Sequence, residues 1–180
     1  IYDGPSVATS NQEWAATYTP DVTVAGNSAG IETVTLSASR TATSLTVSGA
    51  GTDLFALGAN TLSVTGALTL NSTTAITRTT GSLAFNGTAA QTLSGGLMLA
   101  GVTVNNAAGL TLVGGNLNTS GGASGAVCAA GRNGLTLTNG VITTGANRVI
   151  ICHNSTTNQG YTRTNGVVFG NVEVTVDGVA

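Results

Sequence analysis

Thr61-Leu62-Ser63-Val64-Thr65-Gly66 alternates polar and apolar residues and then stops at a glycine. Such a segment fits a short strand with one buried and one solvated side, closed by a turn. The phrase returns as Ser44-Leu-Thr-Val-Ser-Gly49, Ser82-Leu-Ala-Phe-Asn-Gly87, Gly101-Val-Thr-Val-Asn-Asn106, Gly134-Leu-Thr-Leu-Thr-Asn139 and Gly166-Val-Val-Phe-Gly-Asn171. In chain order the starts are 17, 21, 19, 33 and 32 residues apart. An interval near 19 suits one coil of a β-solenoid, with 67–70, 97–99 and 110–112 supplying further strands of each coil. The expected fold is therefore all-β: a right-handed parallel β-helix-like solenoid over residues 21–180, preceded by an irregular segment, 1–20. A β-sandwich meets the same local pattern, but its strands need not resemble one another. The self-similarity of the unit favours the solenoid.

Composition supports strands over helices. Of 180 residues, 26 are Gly, 32 Thr, 14 Ser and 16 Asn, while Val, Ile and Leu total 40, enough apolar surface to bury. Only five residues are cationic, all arginine and dispersed, and the net charge is −2. That pattern offers no electrostatic footprint for nucleic acid. No run approaches the roughly 18 apolar residues of a membrane-spanning helix. The opening Ile1 is read as a processed N-terminus left after removal of an export signal.

Asn-Gly pairs at Asn86, Asn133, Asn139 and Asn165 fit tight turns at coil corners, since both residues tolerate positive φ. The two long intervals each contain one of the two cysteines, Cys128 and Cys152. If 120–133 and 153–165 protrude on the same side of neighbouring coils, a disulfide can join them. Such a bridge contributes roughly 3.5 kcal/mol in the chain-entropy model and implies an oxidising, extracellular or cell-surface location.

Residues 1–20 hold both prolines, the single tryptophan and two of three tyrosines. Tyr2, Trp14 and Tyr18 are expected to cap the first coil or dock onto another chain. At the other end, Asn171-Val-Glu-Val-Thr-Val-Asp177 alternates cleanly, so Val172, Val174 and Val176 form one apolar row. An open strand there can pair with the N-terminal segment of another copy and build a head-to-tail fibre.

Catalytic signatures are weak. The carboxylates are far apart in sequence, Glu32 and Asp53 being the pair a solenoid would stack most readily. Cys152 and His153 are adjacent, so in a strand they point to opposite sides. No catalytic, metal or cofactor residue is expected, and the chain is read as a non-enzyme. Trp14, Tyr18 and Tyr161 are the residues available to stack on a sugar. Thr-x-Thr triplets start at Thr33, Thr41, Thr136 and Thr162. An ice-binding threonine face needs the triplet on one side of nearly every coil, and these positions fit no single coil period. Strand propensity already accounts for abundant threonine.

Over about 32–176, phrases such as Leu57-Gly-Ala-Asn-Thr-Leu-Ser-Val-Thr-Gly66, Phe85-Asn-Gly-Thr-Ala-Ala-Gln-Thr-Leu-Ser94 and Leu135-Thr-Leu-Thr-Asn-Gly-Val-Ile-Thr-Thr-Gly145 resemble the repeat regions of secreted bacterial surface proteins, the parallel β-helix adhesins. The resemblance implies a stalk, adhesin or coat and carries no catalytic residue. The leading expectation is an extracellular structural subunit of a self-assembling filament or sheath, joined by strand addition or end stacking to identical copies. The alternatives are an adhesin or carbohydrate-binding module recognising a surface glycan, and a polysaccharide-degrading β-helix enzyme.

Overall fold

The structure is a computed structural model that describes residues 7–8, 14–25, 33–48, 53–120, 134–154 and 160–177. It is all-β, and every strand pair in it is parallel. Parallel neighbours distant in sequence are what successive windings of a β-solenoid produce, and they exclude the antiparallel sandwich.

Each winding visits three faces. Face B begins with β1 (Val7–Ala8) and continues through β3 (Thr33–Thr35), β6 (Leu54–Ala56), β9 (Ile76–Thr77), β12 (Leu97–Met98) and β15 (Leu117–Asn118). Face A holds β2 (Asp21–Val24), β5 (Ser44–Val47), β8 (Leu68–Leu70), β11 (Gln91–Ser94) and β14 (Leu110–Val113). Face C holds β4 (Arg40–Ala42), β7 (Thr61–Val64), β10 (Ser82–Phe85), β13 (Val102–Asn105), β16 (Leu135–Asn139) and β18 (Tyr161–Arg163). Two long strands, β17 (Val141–Asn154) and β19 (Val167–Asp177), run across faces A and B without interruption. β17 accordingly pairs with both β14 and β15, and β19 follows β17 along both faces. The face B ladder breaks once, between β9 and β12, where Met98 N donates to Thr73 O instead.

This layout corrects the reading of the repeat. Four of the six similar phrases lie on face C, but those beginning at Ser44 and Gly166 belong to face A. The intervals of 17 and 32 residues therefore cross between faces and are not coil lengths. Along face C one winding takes 19 residues from Leu83 to Val102, 33 from Val102 to Leu135 and 26 from Leu135 to Tyr161. In both long windings the extra residues fall in sequence between the end of β15 or β17 and the next face C strand, and 121–133 and 155–159 lie outside the described residues. The second insertion is shorter than expected, because 153–154 still belong to β17 and 161–163 form β18.

Inward side chains stack in columns. Val22, Leu45, Leu68, Leu93 and Leu112 are register partners up face A, and Leu62, Leu83, Val102 and Leu135 up face C. All are buried. Each such side chain contributes roughly 1.5–3 kcal/mol of transfer free energy, so the stack is held by a continuous aliphatic core. The corners demand glycine for two different reasons. At Asn139-Gly140 the glycine has φ 92°, and a Cβ would sit 1.8 Å from Asn106 O. At Asn86-Gly87, φ is not positive; there the need is close approach, since a Cβ would lie 2.1 Å from Thr65 O of the preceding winding. The expected positive-φ turn thus holds for Gly140 but not for Gly87, Gly134 or Gly166.

Candidate interaction surfaces

The two ends of the stack are built differently. At the N-terminal end Trp14 is buried, with its ring centroid 6.4 Å from that of Phe55 at an interplanar angle of 57°, and its indole Nε1 donates to Thr41 O. The indole supplies a large apolar body and satisfies its own donor, the condition for burying a tryptophan at low cost. Val22, Val24, Val34 and Leu36, the inward residues of the early strands, are all buried. Arg40 lies in the inward column of face C, 6% exposed, and Nη1 donates to Ser39 O.

At the C-terminal end the inward columns finish unevenly. Face C ends in Tyr161 and Arg163, register partners of the buried Leu135 and Leu137. Face B ends in Val172 and Val174, partners of the buried Val149 and Ile151, followed by Val176 opposite His153. These three valines are 47%, 55% and 64% exposed, and Phe169 on the same strand is 71% exposed. Among the described residues no strand pairs with the outer edge of β19. The corner before this row is stiffened by polar contacts. Asn147 Nδ2 donates to Leu112 O, Asn171 Nδ2 donates to Asn147 O, and Asn171 N donates to Thr144 Oγ1. Arg148 pairs with Glu173 across the two last windings at 2.7 Å, beside an open depression of about 400 Å³. At that exposure the pair is worth about 0–1 kcal/mol, so it orients the corner more than it holds the stack.

The expected assembly residues therefore divide. Val172, Val174 and Val176 form one exposed row, and Tyr18 is exposed. Trp14 faces inward and plugs its own chain, so it presents no surface to a partner or a sugar. Tyr2 lies outside the described residues. Tyr18 precedes the first strand of face A and Tyr161 sits on the last strand of face C, so the remaining aromatics do not form one platform. Cys152 is buried and disulfide-bonded; Cys128 lies outside the described residues. His153 and Cys152 point to opposite sides of β17, His153 exposed in the column of Val149 and Ile151 and Cys152 buried in that of Ile150. Asp53 is buried, and Glu32, its expected stacking partner, lies outside the described residues. Among the described residues, no three His, Cys, Asp or Glu side chains cluster as metal ligands, and no helix is long and apolar enough to cross a membrane.

One buried polar network was not anticipated from sequence. Gln91 Nε2 donates to Val64 O and Gly66 O, while its Oε1 accepts from Gly87 N and from Asn106 Nδ2. Asn106 Nδ2 also reaches Ala89 O, and its Oδ1 accepts from Ala108 N. Two side-chain amides thus satisfy corner backbone groups on three consecutive windings, groups that burial would otherwise leave costly. The signal available in sequence was an amide four residues after Asn86-Gly87 and the doubled Asn105-Asn106.

Compared with known proteins, the chain matches no family model, no curated protein and no solved structure.

Proposed function

We propose that this chain is an extracellular structural subunit that self-assembles into a surface filament or sheath through its C-terminal rung. The observation that carries the reading is the valine row of β19: Val172 and Val174 continue the columns of the buried Val149 and Ile151, Val176 follows opposite His153, and the three stand 47–64% exposed. An eleven-residue parallel edge with such a row, which no strand among the described residues pairs, accepts a further strand, gaining backbone hydrogen bonds and burying the valines together. A second copy is the proposed source of that strand, which makes the contact heterologous and able to propagate. Pairing of Cys128 with Cys152 at the insertion corner belongs to the same proposal, because a stack outside the cell benefits from a covalent staple that reducing compartments do not sustain.

Light scattering and electron microscopy of the purified chain over a concentration series test this. Elongated particles that lengthen with concentration, and that disappear in Val174→Lys while its circular dichroism is unchanged, are the expected result. A particle of constant single-chain mass at every concentration overturns it.

A further inference from the structure

We propose that the outward side of face C binds ordered water, so that the chain adheres to ice. Three of the four Thr-x-Thr triplets, those starting at Thr41, Thr136 and Thr162, whose sequence intervals fit no common period, start on this one face, while Thr33–Thr35 lies on face B. The differences in winding length fall between the strands, and the strands of face C keep a common register. The outward column reads Thr41, Ser63, Ala84, Thr103, Thr136, Thr162, each residue the direct partner of the next through six windings.

Three properties of this column point to a water lattice. First, repetition: parallel neighbours lie about 4.7–4.9 Å apart, so its five hydroxyl-bearing residues recur at that spacing with a single gap at Ala84. Second, availability: among the described residues these five hydroxyls have no protein hydrogen-bond partner, whereas the neighbouring Thr43 and Thr65 hydroxyls donate to Thr19 O and Ala42 O. Each free hydroxyl offers one donor and two acceptor positions, the mixture that water presents to water. Third, neutrality: none of the outward positions of face C from Thr41 to Thr164 is charged or aromatic. A charged side chain would impose its own hydration shell, and a sugar-binding platform would draw on aromatic faces.

Face A does not match it. Its hydroxyl column of Thr23, Thr46, Thr69 and Ser94 ends at Val113 after four windings, and the neighbouring outward column carries Asp21 and Phe169. Thr46 on that face therefore serves as an internal control.

The test is partition of the purified chain into a slowly growing ice front, together with thermal hysteresis, for the wild type, Thr103→Lys and Thr46→Lys. All three should melt at similar temperatures, because outward substitutions away from special contacts change stability little. Ser63→Lys, a second interruption of the column, covers a Thr103→Lys chain that fails to fold. The expected result is enrichment of wild type and Thr46→Lys in ice, and loss of enrichment and hysteresis in Thr103→Lys and Ser63→Lys. Exclusion of the wild type from ice, equal loss on both faces, or retention on crystalline cellulose or chitin without binding to ice overturns the assignment.

Discussion

The N-terminal and C-terminal ends of the same stack present opposite solutions to one problem. The outermost described winding at each end presents both a hydrogen-bonding edge and the apolar columns that a further winding would cover. At the beginning, Trp14 folds over Phe55 and the early valines are buried. At the end, Tyr161 and Arg163 finish face C, while Val172, Val174 and Val176 leave face B uncovered. The difference leaves one apolar row exposed on the outermost described winding at the C-terminal end.

The largest effect is expected at the sealed end. Trp14→Ala removes a buried aromatic and should cost about 3–5 kcal/mol, read as a fall in urea midpoint. If the midpoint hardly moves, the N-terminal plug is not part of the folded core. In the middle of the stack, Asn106→Ala leaves Ala108 N–H and part of the Gln91 network without partners, an expected loss of about 1–3 kcal/mol by the same measurement. Leaving all polar partners in place, Val174→Ala at the open end should cost well under 1 kcal/mol in dilute solution, where its side chain is already half exposed. A cost there as large as at Trp14 would mean the two ends are equally covered. Smallest of all, Arg148→Ala should change stability by about 0–1 kcal/mol, and less in high salt, as an exposed pair must.

Much of the fold was legible because alternation with glycine or asparagine stops is a local signal. Val102-Thr103-Val104 and Leu135-Thr136-Leu137 read as strands, and they are strands. Which face each strand occupies was not legible, since Ser44-Leu-Thr-Val47 on face A carries the same pattern as Thr61-Leu-Ser-Val64 on face C. Periods counted across faces then hid the alignment of Thr41, Thr136 and Thr162. The valine row of β19 could be read from its alternation. That Trp14 turns inward, and that Tyr161 and Arg163 close face C, depends on contacts between windings that no local pattern encodes.

The most direct measurement is amide hydrogen exchange along β19 as a function of protein concentration. Assembly through this rung predicts that outward-pointing amides within 171–177 exchange quickly in dilute solution and become protected as concentration rises, with the amides of β2 unchanged. Exchange in β19 that is fast and independent of concentration, up to conditions where the chain is saturated, would contradict the account.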